Sequence, residues 1–165
     1  MISYYLSLGS NLGEREKTLR KAVQLIEQQI GKVPCCSSYF YSEPWGFESE
    51  NGFCNICCLL ETKLQPIEVL RATQAIERQL GRTHKTIDAH YSDRIIDIDL
   101  IQAFDPNGQE IKCQISNPKC QMSNVKSQMS EALPSLILPH PLWQQREFVK
   151  QPLSELKNSL SFREN

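Results

Sequence analysis

Two aspartates stand two positions apart in an otherwise aliphatic run, RIIDIDLI, residues 94 to 101. In a strand, successive side chains point to opposite faces, so Asp97 and Asp99 share one face and Ile96, Ile98 and Leu100 the other. Adjacent carboxylates repel, and burial adds to the cost. The spacing admits three ways of meeting that cost. One is a pair of arginines, for which Arg82 and Arg94 are at hand. Another is a hard, oxygen-preferring divalent ion, Mg²⁺ above all, since no histidine or cysteine is in register. The third is an edge strand whose aspartates face water. Two ions, typically about 3.5–4 Å apart, would let such a pair clamp a transferring phosphoryl group.

The neighbouring basic residues suit the same chemistry. Arg82 and Arg94 bracket a polar loop holding His84, Lys85 and His90, and Arg146 follows the PHP at 139 to 141. Cations beside a metal-binding strand offset the charge that builds on bridging and leaving oxygens, although each arginine by itself reads as a solvated surface charge. No Gly-rich cradle accompanies them: GSNLG has neither the P-loop nor the dinucleotide-fold spacing and reads as a structural corner. Any nucleotide would then be held by side chains and metal. Cys54 and Cys57 spell CxxC, but in a strand they point to opposite faces and cannot clasp one metal.

The elements that must position these groups follow from periodicity. ISYYLSLGS alternates as a strand. From about Glu14, apolar residues at Leu19, Ala22, Val23, Ile26 and Ile30 fall at helical spacing, stopped by Gly31 and Pro34. A second strand is predicted from Val33 to Tyr41, a turn-rich loop over SEPWGFESENG, and a third strand from Phe53 to about Lys63. Pro66 opens a second helix with Ile67, Leu70, Thr73, Ile76 and Leu80 on one side and Gly81 at its end. RIIDIDLI is the fourth strand. The order β-α-β-β-α-β predicts an α+β fold, a ferredoxin-like antiparallel sheet with helices packed on it, plus a C-terminal extension. CQISNPK, CQMSNVK and SQMSEAL repeat one seven-residue unit. With Pro118 in the first copy and Ser and Asn throughout, they read as a low-complexity surface insertion over residues 108 to 135, not as a coiled coil.

The 165 residues predict a single domain spanning 1–165, with 40% hydrophobic and 22% charged residues and a formal net charge of −1. That balance carries no nucleic-acid footprint. The seven cysteines are an odd number, no export leader is legible, and no apolar run approaches membrane-spanning length. A cytoplasmic protein with reduced thiols is therefore expected, with no membrane or nucleic-acid partner.

LSLGSNLGE, YSEPWGF with NGFCNICCLLET, QAIERQLGR, YSDRIIDIDL and LPHPLWQQREFV, in that order, closely resemble the 6-hydroxymethyl-7,8-dihydropterin pyrophosphokinases. The resemblance covers nearly the whole chain outside residues 108 to 135. It implies Mg²⁺-dependent transfer of pyrophosphate from ATP to 6-hydroxymethyl-7,8-dihydropterin in folate biosynthesis, giving AMP and the pterin diphosphate, by a monomer. By that resemblance Asp97 and Asp99 hold two Mg²⁺ ions, and Arg82 and Arg94 stabilise the transferring group. Gln74, Glu77, His84, Arg94, His140 and Arg146 match positions around ATP. Phe53 and Phe148 match the aromatic faces that sandwich the flat pterin, and Asn55 an amide that reads its edge as donor and acceptor. Ser42, Trp45 and Tyr91 match further pterin-side positions. Three residues depart from the common pattern: His84 replaces a second arginine, Tyr91 an aromatic that is often Trp, and Asp93 a frequent Pro. Two rivals are a catalytically silent ferredoxin-like binding module and another Mg²⁺-dependent nucleotidyltransferase. The second would have no use for the aromatic pair with Asn55.

Overall fold

The alternation of ISYYLSLGS becomes strand β1 (Ile2–Ser10), which is paired on both sides. The computed structural model describes residues 1–44, 50–81, 93–116 and 135–161. β1 lies antiparallel to β4 (Phe53–Thr62) on one side and to β5 (Asp97–Phe104) on the other. β2 (Lys32–Cys36) adds to the far side of β4, giving the order β2-β4-β1-β5, and the short β3 (Phe40–Ser42) pairs further along β4. A separate ribbon joins β6 (Cys113–Ile115) to β7 (Leu136–Leu138).

Helix α1 (Arg15–Gln29) buries Leu19, Ala22 and Ile26 of the expected stripe, with Leu25 buried as well and Val23 only half-buried. It ends where Gly31 passes so close to the Glu61 carbonyl that no Cβ fits, and Thr62 Oγ1 donates to the Ile30 carbonyl at 2.8 Å. Helix α2 (Pro66–Gln79) starts on a reciprocal cap in which Glu68 Oε2 accepts the Gln65 N–H at 2.7 Å, with Pro66 where a missing N–H costs nothing. A 3₁₀ turn (Trp143–Gln145) leads into α3 (Glu147–Ser161).

The sheet is covered on both faces. Tyr4, Leu6 and Leu8 of β1, Ile56, Cys58 and Leu60 of β4, and Ile98 and Leu100 of β5 form one core with α1 and α2. On the opposite face Val149, Leu153 and Leu156 of α3 pack over Cys57, Leu59 and Ile101. Truncating one of these, for example Leu153→Ala, would cost about 2–5 kcal/mol. The architecture is thus α+β: an antiparallel sheet with three helices. Among the described residues no helix is long and apolar enough to cross a membrane.

Three expectations are corrected. The strand expected from Val33 to Tyr41 is broken after Cys36, because Ser37 Oγ takes the Cys57 N–H at 3.0 Å and reroutes the ladder. The strand expected at residues 94 to 101 begins at Asp97 and runs on to Phe104. Asn11 takes the backbone of Arg94 in both directions (Arg94 N–H to Asn11 Oδ1, 2.7 Å; Asn11 N–H to the Arg94 carbonyl, 3.2 Å), which holds residues 94–96 out of the ladder. The stretch from 108 to 116, read as the start of a surface insertion, is built into the fold through β6 and through Ile111, Cys113 and Ile115 against the core. The remainder of the repeats, 117–134, lies outside the described residues.

β5 carries one irregularity. Tyr5 faces Gln102 and Leu6 faces Leu100, so Ile101 is an extra residue on its strand, a β-bulge. The Ile101 carbonyl accepts the His140 N–H at 2.8 Å, which fastens the segment after β7 to the sheet.

Candidate active site

Helix α3 covers only part of its face of the sheet. Beyond its N-terminus, the odd-numbered residues of β1, β4 and β5 line an open cleft of about 470 Å³ with Ser42, Glu43, Arg94, Arg146 and Phe148. The register sets its floor in two rows. Asn55, Gly9 and Asp97 lie side by side in one, and Ser7 and Asp99 in the next, where Cys57 on the far side of Ser7 is buried under α3. One face of a three-strand surface therefore carries an amide and an aromatic at one side and two carboxylates at the other.

The carboxylates meet guanidinium groups. Arg94 Nη1 donates to Asp97 Oδ2 at 2.9 Å, with the two side chains 10% and 25% exposed. Arg146, on the turn before α3, brings Nη1 to 3.8 Å from Asp99 Oδ2, and its guanidinium stands 5.9 Å from the Phe148 ring centroid. Two arginines against Glu43, Asp97 and Asp99 leave the described lining net negative. A polyphosphate would be repelled by that balance unless further cations join it. The Asp pair suits a hard divalent ion that completes its shell with phosphate and water oxygens. Among the described residues no cluster of three or more His, Cys, Asp or Glu could hold a metal.

On the other side, Asn55 is 2% exposed. Its Nδ2 donates to the Phe40 carbonyl at 3.1 Å and to Ser42 Oγ at 2.9 Å. This refines the expectation that the amide offers both donor and acceptor: the donor half is engaged, and Oδ1 is the half turned toward Gly9. Ser42 accordingly supports Asn55 in addition to lining the cleft. Phe53 and Phe148 are half-buried and both line it.

His140 flanks the lining. Its Nδ1 accepts the Leu142 N–H at 3.1 Å, so the ring proton sits on Nε2. Burial, and then the charge of Arg146, push its pKa down to about 4 against an opposing pull from Asp97, and the ring is neutral at pH 7. Glu77 does not line the cleft. It is 2% exposed on α2, where Oε1 accepts the Ile98 N–H at 2.7 Å, beneath the strand that displays the aspartates. Gln74 is half-buried on the same helix and does not line the cleft either. Trp45, Arg82, His84 and Tyr91 lie outside the described residues.

Five residues have parts that the sequence reading did not give them. Ser7, Gly9 and Glu43 line the cleft, and the alternation of LSLGS was the available signal for the first two. Asn11 and Asp93 hold it. Asn11 Nδ2 donates to Asp93 Oδ1 at 2.7 Å and Asn51 Nδ2 to Asp93 Oδ2 at 2.9 Å, while Arg15 Nη1 donates to the Gly52 carbonyl at 2.7 Å. The corner after β1 therefore ties both the lead-in to β5 and the lead-in to β4.

Over residues 5–158 the chain matches the family described as 7,8-dihydro-6-hydroxymethylpterin-pyrophosphokinase, HPPK. The chain belongs to this family. It is 40% identical over 157 residues to the 2-amino-4-hydroxy-6-hydroxymethyldihydropteridine pyrophosphokinase of Porphyromonas gingivalis, covering 94% of this chain and 91% of that one. The Bacillus subtilis protein of the same name is 33% identical over 153 residues, 92% of this chain and 76% of its own. A folic acid synthesis protein of Pneumocystis carinii is 33% identical over 94% of this chain and 18% of its own length. Among solved structures, a Plasmodium falciparum HPPK-DHPS triple mutant superimposes with a TM-score of 0.63 at 14% identity, over 93% of this chain and 40% of that one, a likeness of fold. As a member of the HPPK family the chain is a diphosphotransferase.

Proposed function

We propose that the cleft transfers a pyrophosphoryl group from ATP to 6-hydroxymethyl-7,8-dihydropterin, releasing AMP and the pterin diphosphate for folate synthesis. The observation that carries this reading is the division of one sheet face: Phe53, Asn55 and Phe148 share a cleft with Asp97, Asp99, Arg94 and Arg146. A flat heteroaromatic fits against the two phenylalanine rings, and Asn55 Oδ1 accepts a hydrogen bond from its edge. Because Phe40 and Ser42 fix that amide, the pterin edge meets an acceptor already aimed. Its hydroxymethyl group is thereby directed along the row toward Asp97, where the β-phosphorus of ATP would be attacked.

Asp97 and Asp99 would hold two Mg²⁺ ions, which neutralise phosphate oxygens and orient them when bound. Arg94 and Arg146 already face these carboxylates and supply fixed positive charge beside the oxygens of the transferring group. The neutral His140 has its proton on Nε2 and offers a hydrogen bond without adding charge. Gln74 on α2, with Arg82 and His84, is assigned to the nucleotide, and Trp45 and Tyr91 to the pterin side. Glu77 is assigned a supporting part, since it holds the backbone of β5 at Ile98. The frame is read as ferredoxin-like on the strength of the order β2-β4-β1-β5, and the enzyme as a cytoplasmic monomer.

The test is AMP release from ATP with Mg²⁺, with and without the pterin alcohol, for the native chain and Asp97→Ala. Pterin-dependent AMP that falls by at least about 10²-fold in the variant is expected. AMP formed at the same rate without pterin, or undiminished by the substitution, would overturn the reading.

A further inference from the structure

CxxC, the cysteine motif that stands out in the sequence, does not assemble: Cys54 belongs to the core under α1 and α2, and Cys57 to the core under α3. A different pair does. Cys36 on β2 faces Cys58 on β4, and their sulfurs stand 2.9 Å apart. We infer that Cys36 and Cys58 are a thiol-oxidation site that closes reversibly into a cross-strand disulfide.

The register supports this independently of the sulfur contact. At the next pair the Ser37 N–H donates to the Cys57 carbonyl at 2.8 Å, which makes that a hydrogen-bonded position. Ladder positions alternate, so Cys36 and Cys58 occupy a non-hydrogen-bonded one, where opposed Cα atoms approach to about 4.5 Å. That lies within the span of about 4.4–6.8 Å that a disulfide bridges. The neighbouring cysteines are placed differently. Cys35 is opposed to Leu59, and the Cys57 thiol reaches the Val149 carbonyl at 3.6 Å on the other face.

The two thiols differ in a useful way. Cys36 is exposed on the outermost strand, whereas Cys58 is fully buried. A hydrogen bond from Cys58 lowers the Cys36 pKa, while the same contact and burial raise that of Cys58. Cys36 is therefore the attacking thiolate. Against a small disulfide such as oxidised glutathione, its sulfur bonds to one glutathione sulfur and the other leaves as a thiolate. Cys58 then gives up its proton to that leaving thiolate and attacks the Cys36 sulfur, expelling the second glutathione, which takes up a proton from solvent. Two protein thiols are oxidised by two electrons, and one small disulfide becomes two thiols.

The bond would close a loop between residues 36 and 58, 22 positions apart. Ser42, Phe53 and Asn55 lie within that loop, on the sheet face opposite the bond. Oxidation therefore braces the strands that carry the aromatic side of the cleft without entering it.

The test treats the full chain with oxidised glutathione, alkylates free thiols after unfolding, and maps peptides without reduction. A Cys36–Cys58 linked peptide is expected, with loss of two hydrogens in mass and reversal by dithiothreitol. The thermal midpoint of the oxidised chain should rise by on the order of 5 °C. Cys36→Ser, a change at an exposed position, should abolish both effects while the chain stays folded. Cys58 recovered alkylated beside a stable glutathione adduct on Cys36 would overturn the inference. So would a linkage between other cysteines, or an unchanged rise in Cys36→Ser.

Discussion

Gly9 and Asn55 face each other across β1 and β4 so closely that a Cβ on Gly9 would stand 3.0 Å from Asn55 Oδ1. Gly9 is thus the space in which Asn55 Oδ1 is held, while Nδ2 is taken by Phe40 and Ser42. Gly9→Ala should displace that oxygen and weaken pterin binding by up to about tenfold, the worth of one hydrogen bond. Fluorescence titration with the dihydropterin measures it, and nucleotide affinity serves as the internal control. Unchanged pterin affinity would remove Asn55 Oδ1 from the recognition surface.

Asn11 has a different duty. It uses both its backbone and its amide on residues 93 and 94, and its Nδ2 also reaches the Asn51 carbonyl at 3.3 Å. Asn11→Ala would leave the Arg94 N–H without the Asn11 acceptor, costing about 1–3 kcal/mol in chemical denaturation. Because Arg94 is thereby loosened from Asp97, kcat should fall at least about tenfold with pterin affinity little changed. Asp93→Asn, which keeps one acceptor oxygen, should lose less than Asp93→Ala. Equal loss in the two would show that the carboxylate is not bridging the two asparagines.

His140 gives the fold a pH dependence of defined sign. Its pKa falls from 6.5 to about 4 on folding. As pH drops, the unfolded chain takes up this proton first. The contribution of the neutral ring is therefore complete above pH 6.5 and is lost as pH falls toward 4. In His140→Asn, Oδ1 can still accept the Leu142 N–H but does not titrate. Thermal midpoints measured across that range should decline less steeply for the variant than for the native chain, and parallel curves would exclude His140 as a source of the slope.

Two deletions separate the repeats from the ribbon. Removing residues 117–130 should leave turnover within about twofold, since β6 and every described residue of the cleft lining are kept. Starting the deletion at 113 also removes β6, uncovers Leu136 and Leu138, and should cost at least about 2 kcal/mol of stability. Equal stability of the two shortened chains would show that β6 contributes nothing.

Much of the cleft was legible because strand alternation is a strong rule. Asp97 with Asp99, and Phe53 with Asn55, could be put on shared faces from spacing alone, and all four line the cleft. Helices α1 and α2 likewise announced themselves through apolar spacing and through Pro66. What was hidden depends on side chains that take over backbone bonds. Ser37 breaks a strand that composition made continuous, and Asn11 moves the start of β5 by three residues. Neither swap leaves a mark in hydrophobic periodicity. The partnership of Cys36 with Cys58 was hidden for another reason: it depends on the register between two strands, whereas CxxC spacing concerns one.

The extra residue at Ile101 has a consequence for how the enzyme can change over generations. Upstream of it, odd positions of β5 look into the cleft. Downstream, Gln102 faces α3 and accepts from Lys157 Nζ at 2.7 Å, so the parity of the strand is reversed. The same residue's carbonyl anchors His140. Losing that single codon would regularise the ladder, since Leu6–Leu100 and Tyr5–Gln102 would become consecutive pairs and the aspartates would keep their face. It would, however, remove the carbonyl that holds the histidine segment. The irregularity is thus kept by what leans on it from outside the sheet: a length change in β5 spares the pairing of the strand and costs the anchorage of His140.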